Sequence, residues 1–102
     1  MVATVEQKEK IKRDLAARLS REEEVCKVIV FGSFLTSPTP NDLDVAIFQN
    51  SDEPYLTLAM KYRRLLRPIA DQIPIDVIPV RPNAGESQFF AEICSGEVIY
   101  ER

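Results

Sequence analysis

Three aspartates stand inside or beside short runs of valine, isoleucine and leucine. Asp42 and Asp44 begin one such run, and Asp76 lies within another. Aspartate is depleted in β-strands and costly to bury without a partner, so these positions need an explanation. A bound cation supplies one, because carboxylate oxygens are the ligands that Mg²⁺ and Mn²⁺ prefer. We therefore predict Asp42, Asp44 and Asp76 as a metal-binding set, provided that their strands are neighbours in one sheet.

Such a set of carboxylates suits phosphoryl or nucleotidyl transfer. Two metal ions about 3.5–4 Å apart can hold the attacking and leaving oxygens of an in-line displacement. The pair Gly32-Ser33 follows an apolar run, and backbone N–H groups at a strand-to-helix turn of this kind can cradle phosphates. The chain has no histidine, which excludes Ser-His-Asp and Cys-His mechanisms and leaves acid–base work to carboxylates.

Each of these features also has a purely structural interpretation. Gly32-Ser33 can be a turn followed by an N-cap serine. Asp42 and Asp44 can be exposed residues at a strand entrance, which suits Asp42 better than Asp44, deeper in the apolar run. Asp76, whose run has a proline at either end, can face water from an edge strand. The presence of all these features in one chain favours the functional interpretation.

Hydrophobic periodicity predicts the elements that must position these residues. Apolar residues four apart, opened by a capping box at Thr4, predict a first helix, and β-branched runs predict strands. The predicted elements are a helix from Thr4 to near Glu24, strand 27–31, a helical turn at 33–37 capped by Ser33, strand 42–48, a helix from Pro54 to Arg67-Pro68, strand 75–78, a helix capped by Ser87 that carries Phe89, Phe90 and Ile93 and ends at Gly96, and strand 98–100. This order predicts an α/β domain in which helices pack on a small mixed β-sheet.

Composition limits the size of the protein and its partners. A chain of 102 residues, 45% of them hydrophobic, has material for one compact domain, which we take as residues 1–102. The net charge of −3 and the lack of a basic tail argue against duplex nucleic acid as the main partner. No apolar run is long enough for a signal peptide or a membrane span, so we expect no membrane contact and a cytoplasmic location. Cys26 and Cys94, with no histidine to complete a zinc site, are expected to be buried apolar residues.

The motifs together resemble a known superfamily. Gly32-Ser33, followed by Asp42-Leu43-Asp44 and by Asp76 on a later strand, resembles the polymerase-beta-like nucleotidyltransferases, and within them the minimal branch called MNT. The resemblance covers residues 26 to 80 by motif, and the segment 96–101 is similar to the terminal strand of these small domains. It implies the polymerase-beta-like nucleotidyltransferase fold and transfer of a nucleoside monophosphate, AMP from ATP or its counterpart from another nucleoside triphosphate, with release of pyrophosphate.

The resemblance also implies a role for each predicted site residue. Asp42 and Asp44 would ligate both of two Mg²⁺ or Mn²⁺ ions. Asp76 would ligate one of them and help to activate the acceptor hydroxyl. Ser33 would contact a phosphate of the triphosphate, with Gly32 beside it in the nucleotide-binding turn.

The MNT branch further implies a partner protein. Its small members are commonly encoded with a helical HEPN partner, and some act as antitoxins that transfer AMP to a tyrosine of that partner. A chain of 102 residues without a second lobe fits an acceptor that another protein supplies, and an oligomer of the chain itself stays open. The family's loop often continues with an arginine and a second glycine, where Thr36 and Ser37 stand here. The alternative function is therefore an antitoxin-like binding module that neutralises a partner by covering its surface.

A basic stretch in the second long helix has two interpretations. Its members are Lys61, Arg63, Arg64 and Arg67. Arginines here could meet the triphosphate or an acidic partner surface. Helical spacing divides the four residues over more than one side of the helix, which favours a solvated face.

Overall fold

The structure, a computed structural model, describes residues 3–81, 93 and 95–102. In this part of the chain, helices pack on a mixed sheet of four strands, as the sequence predicts. The elements are α1 (Val5–Leu19), β1 (Val25–Phe31), α2 (Ser33–Thr36), β2 (Leu43–Gln49), α3 (Tyr55–Leu65), α4 (Arg67–Ala70), β3 (Ile75–Val80) and β4 (Glu97–Glu101).

Helix α1 begins at the predicted capping box. The Thr4 hydroxyl accepts a hydrogen bond from the Gln7 backbone N–H at 3.1 Å, and the Gln7 side chain accepts one from the Thr4 N–H at 2.9 Å. Two N–H groups that lack partners inside the helix are thereby satisfied. The buried face of α1 carries Ile11, Leu15 and Leu19.

The strand order in the sheet is β3-β2-β1-β4. β1 is antiparallel to β2 and to β4, whereas β2 and β3 are parallel. Parallel neighbours need a long crossover connection, and α3 with α4 supplies it. The sheet therefore places the ends of β2 and β3 that carry the predicted aspartates side by side.

Alternation along the strands separates two faces of the sheet. Leu43, Val45 and Ile47 of β2 join a large core with residues of α1, α3 and α4. Ala46 and Phe48 of the same strand belong to a smaller cluster on the other face. Because side chains alternate between faces, the even-numbered residues of β2 lie on the face away from these helices.

The third strand is an edge strand that contains a proline. It runs to Val80, two positions beyond the predicted end at Ile78, with Pro79 in register with Ile47 of β2. Proline lacks the donor that an interior strand needs, but β3 has a described neighbour on one side alone, so the strand continues through it.

The other edge strand, β4, is lined by ion pairs. Glu97 lies 3.0 Å from the Lys12 ammonium of α1, and Glu101 lies 3.5 Å from that of Lys27. Gly96 precedes the strand, and a Cβ there would overlap the Val30 carbonyl oxygen of β1. The glycine allows β4 to begin pressed against the backbone of its neighbour.

Several boundaries differ from the sequence prediction. β1 begins at Val25 instead of residue 27, and α2 is capped by Gly32 and not by Ser33. Cys26 is half-buried, with its thiol donating to the Phe48 carbonyl at 3.3 Å, so it is less enclosed than expected.

The predicted helix from Ser87 to Gly96 falls largely outside the described residues, as do Phe89, Phe90 and Cys94. Within it, Ile93 is helical and buried. None of the helices in the described ranges combines the length and apolar character that a bilayer span requires.

Helix α1 also ends earlier than predicted, at Leu19 and not near Glu24. Position 23, where the four-residue spacing calls for the next apolar residue, is an exposed glutamate, so no further turn can pack on the core. Glu24 is instead enclosed: its Oε1 accepts hydrogen bonds from the Lys61 ammonium at 2.7 Å and the Tyr62 hydroxyl at 3.1 Å. Glu24 therefore lies outside the helix in which the sequence predicts it, in the turn before β1, with two hydrogen-bond donors.

These contacts set the protonation states of the Glu24 carboxyl and the Tyr62 hydroxyl. Burial opposes ionisation of Glu24, but the hydrogen bonds from Lys61 and Tyr62 outweigh it and lower the pKa of the carboxyl. Burial, together with the negative charge of Glu24, raises the pKa of the Tyr62 hydroxyl, which therefore stays a donor. The network ties the turn before β1 to α3.

Replacing Glu24 with Gln should lower the free energy of unfolding by about 1–2 kcal/mol at neutral pH, because a charged acceptor for two donors is lost. The folded pKa of Glu24 lies below its ordinary value of 4.5, so its contribution is present above that value and is lost as pH falls through the folded pKa. Urea denaturation of both proteins between neutral pH and about pH 3 checks this.

Glu23→Gln is the matched control, since Glu23 is exposed and next in sequence. It should leave the free energy of unfolding nearly unchanged. A Glu24→Gln protein as stable as the wild type at neutral pH would contradict the assignment.

Candidate functional site

The chain turns sharply at Gly32, directly after β1. Gly32 has φ 81° and ψ −158°, in a region that glycine enters without steric cost. A Cβ at this position would overlap the Oδ2 atom of Asp44. The positive φ therefore favours glycine here, and the backbone of the turn lies directly against the Asp44 carboxylate, which a Cβ would displace.

Short helix α2 holds Ser33 at the surface beside this turn. The Leu35 N–H donates to the Gly32 carbonyl at 3.2 Å, and the Ser37 N–H donates to the Ser33 carbonyl at 2.8 Å. Phe34 is fully buried in the main core, whereas Ser33 is exposed. The anchored phenylalanine therefore fixes the serine at the mouth of the turn.

Asp44 and Asp76 are neighbours in the sheet. Asp44 is in register with Phe31 of β1 on one side and with Asp76 of β3 on the other. Adjacent strands lie about 4.8 Å apart, so two carboxylates leave the same face from adjoining backbone positions. The condition that the sequence left open, adjacent second and third strands, is met. Asp44 is half-buried and Asp76 is exposed.

Asp42 lies immediately before β2 and is exposed. The entrance of the strand is fixed by the Leu43 N–H, which donates to the Pro74 carbonyl at 2.9 Å. Asp42 thus lies at the strand entrance, whereas Asp44 lies inside the strand. The two aspartates are two positions apart, which is the spacing of one strand face.

Side-chain positions are less convergent than the backbone. Within residues 3–81, 93 and 95–102, no three side chains of His, Cys, Asp or Glu stand together closely enough to hold a metal ion. The donors still fit a hard cation, because they are carboxylate oxygens and Asp44 and Asp76 share one register position. To share an ion, the side chains of Asp42, Asp44 and Asp76 would have to rotate towards one another. Asp42 and Asp76 are exposed and therefore have room to do so.

Lys8 of α1 holds the loop that follows Ser33. Its ammonium donates to the Ser37 carbonyl at 2.6 Å and lies 5.6 Å from the centroid of the Phe34 ring. The Ala3 N–H donates to the Pro38 carbonyl at 3.0 Å in the same region. A cation thus contacts the loop in which the family pattern's arginine is missing. The sequence carries no signal for it, since Lys8 lies far from the loop along the chain.

The four residues of the basic stretch, at the end of α3 and the start of α4, point to more than one side, as helical spacing predicts. Lys61 pairs with Glu24, and Arg63, Arg64 and Arg67 are exposed. Helix α3 packs on the sheet through Leu58 and Tyr62, which belong to the core on the face opposite the aspartates. Its outward arginines are therefore separated from the predicted site by the sheet.

Comparison with known proteins agrees with this fold. Residues 9–102 match the family described as "Polymerase beta, Nucleotidyltransferase". No curated protein matches the sequence. A chain in the solved complex of tri-AMPylated Shewanella oneidensis HEPN toxin with MNT antitoxin is similar, with a TM-score of 0.62 and 13% identity over 93% of this chain and 73% of that chain. Identity this low shows a shared fold and nothing finer.

The family match includes the Gly32-Ser33 turn and all three aspartates. The order of strands and helices, the glycine turn against Asp44 and the match along nearly the whole chain agree with one another. This chain belongs to the polymerase beta nucleotidyltransferase family.

Proposed function

We propose that this protein transfers a nucleoside monophosphate, AMP from ATP, to a hydroxyl group of a partner protein in the cytoplasm and releases pyrophosphate. The observation that carries the proposal is the register of Asp44 beside Asp76, with the Gly32 turn packed against Asp44. Family membership supports the class of reaction.

The three aspartates are the proposed ligands of two Mg²⁺ or Mn²⁺ ions. Asp42 and Asp44 would hold both ions, and Asp76 would hold one. When bound, the ions offset the charge of the phosphates and orient the attacking and leaving oxygens. The chain itself supplies carboxylate oxygens as ligands from β2 and β3. The backbone hydrogen bonds between these two strands fix the distance between the carboxylates.

The turn at Gly32 and Ser33 is the proposed cradle for the triphosphate. The glycine keeps side-chain atoms out of the space beside Asp44, and the exposed Ser33 hydroxyl is a donor for a phosphate oxygen. Oriented donors of this kind stabilise developing charge without reorganisation during the reaction.

The transfer is balanced by one proton and one leaving group. The acceptor oxygen bonds to the α-phosphorus as the bond from that phosphorus to the α,β-bridging oxygen breaks, and this oxygen leaves as a terminal oxygen of pyrophosphate. Asp76 is the proposed base that accepts the hydroxyl proton, because it is exposed and the chain contains no histidine.

A HEPN-type helical protein is the proposed acceptor. The structural neighbour is a complex in which the HEPN toxin is AMPylated and an MNT antitoxin is bound. We extend that arrangement to this chain, with a tyrosine hydroxyl as the acceptor, which the family resemblance implies.

A second candidate function is an antitoxin-like module that binds the same partner without modifying it. Thr36 and Ser37 stand where the family's loop often has an arginine and a second glycine, which leaves fewer charges for phosphate. The unclustered carboxylates of the described structure also favour this candidate.

Asp44→Asn should abolish metal-dependent nucleotide binding, because the substitution removes a charged ligand without changing the size of the side chain. Calorimetric titration with ATP and with GTP, with and without Mg²⁺, measures this, and we expect affinity to fall by about tenfold or more. Asp52→Asn, an exposed aspartate beyond the far end of β2, is the control and should bind like the wild type. No metal-dependent binding by the wild type would eliminate the enzyme and leave the binding module.

Gly32→Ala should impair both folding and nucleotide binding. The alanine Cβ would strain a backbone at φ 81° and displace the Asp44 carboxylate, at a cost of about 1–3 kcal/mol in the free energy of unfolding. Urea denaturation and ATP titration measure the two effects. Ser33→Ala, which adds no atom to the turn, should keep the wild-type stability and weaken ATP binding only. Equal stability of Gly32→Ala and wild type would refute the described turn.

Transfer to the partner separates the two candidate functions. An enzyme should label the HEPN-type partner with AMP from radiolabelled ATP, and the label should disappear in Asp42→Asn and Asp44→Asn. Both variants should still form the complex, because the substitutions leave the rest of the surface unchanged. Complex formation without any label in the wild type would support the binding module.

A further inference from the structure

The outward side of α3 carries an unusual combination of side chains. Leu56 and Met60 are exposed hydrophobic residues, with 66% and 52% of their surface open to solvent. They lie four positions apart, so they share one face of α3. Arg63 and Arg64 lie near the end of that helix, and Arg67 begins α4 directly after it. We call this set of five residues the α3 stripe. Large apolar groups in contiguous exposed positions mark interaction sites more often than scattered ones do.

A groove runs along the stripe. A cavity of about 350 Å³ is lined by Met60, Arg63, Arg64 and Arg67. A second cavity, of about 340 Å³, shares Met60 and Arg64 and is also lined by Glu53, Thr57 and Lys61. Met60 and the three arginines therefore border one depression, with a single carboxylate at its far end, and Leu56 lies on the surface beside it.

The arginines of the stripe have no ion-pair partner among the residues that the structure describes. Lys61, on the side of the same helix, is neutralised by Glu24 at 2.7 Å, with Glu22 at 3.9 Å. By contrast, no carboxylate of the described residues lies within ion-pair distance of Arg63, Arg64 or Arg67. Within the described part of the chain, three exposed arginines thus face solvent without an ion pair, although the chain as a whole carries a charge of −3.

The mixture of residue types identifies the kind of occupant. Arginine and methionine are enriched at protein interfaces, and arginine is a frequent energetic centre of them. A nucleic acid backbone or a free phosphate would use the arginines but would leave Leu56 and Met60 in water. A protein surface with carboxylates beside apolar side chains complements both parts of the stripe.

We propose that the α3 stripe is the docking surface for an acidic, partly apolar surface of the HEPN-type partner, an inference that rests on the partner named in the proposed function. The stripe and the aspartates lie on opposite sides of the sheet. Docking at α3 therefore leaves the nucleotide site open, and the part of the partner that carries the acceptor hydroxyl must extend around the sheet to reach it. Binding and transfer then depend on separate residues of this chain.

The test uses the full chain and a purified HEPN-type protein of the class proposed as its partner. Arg63→Glu/Arg67→Glu should weaken the complex by about tenfold or more, measured by calorimetry, while Mg²⁺-dependent ATP binding stays at the wild-type level. Lys10→Glu/Arg13→Glu changes the net charge equally at exposed positions of α1 and should alter the affinity by less than about twofold.

Two further measurements keep the test decisive. Met60→Ser changes an exposed side chain, so folding is preserved, and it should weaken the complex several-fold through its apolar contact. Asp44→Asn should do the reverse of the arginine variant, retaining the complex and losing ATP binding.

The possible results discriminate between the two proposals. If the wild type binds the partner and the arginine variant binds equally well, the docking surface is refuted and the proposed function stands. If the wild type does not bind the partner at all, both are refuted. Inorganic tripolyphosphate binding that is lost in the arginine variant, with an unaffected complex, would assign the stripe to a free anion. Sedimentation showing a dimer of this chain that the arginine variant lacks would assign it to self-association.

Discussion

The parallel pairing of β2 with β3 is the constraint on which the candidate site depends. It sets Asp44 in register with Asp76 and is fixed at the strand entrance by the bond from the Leu43 N–H to the Pro74 carbonyl. A shift of β2 by one residue would turn Asp44 into the helix-covered core and bring Val45 to the other face. An unpaired carboxylate in that core would be costly, so the apolar pattern that seats the helices also enforces the position of the acid.

Much of this arrangement could be predicted because it is local. The Thr4 capping box, the alternation in β2 and the glycine after β1 depend on residues close together in sequence, and each was placed correctly. The adjacency of Asp44 and Asp76 was predicted only conditionally, since strand order depends on the crossover through α3. The metal set Asp42, Asp44 and Asp76 remains a prediction: the backbone brings it to one end of the sheet, and the side-chain positions do not form it.

The features that the sequence did not predict are long-range contacts of charged residues. The Lys8 ammonium reaches the Ser37 carbonyl, and Glu24 accepts from Lys61 and Tyr62. In the sequence, a charged residue on the polar side of a helix looks the same whether its side chain is solvated or contacts a residue that is distant along the chain. Only the packing of α1 and α3 on the same face decides which of them meet a partner.

The two edges of the sheet have a consequence for how molecules of this protein meet in concentrated solution. An unprotected edge strand can pair with a strand of another molecule and so promotes aggregation. Here the β3 edge contains Pro79, and β4 carries Glu97 and Glu101 held by lysines. In the described part of the chain, both edges are therefore poor templates for added strands, which protects the backbone N–H groups of the sheet from pairing with other molecules.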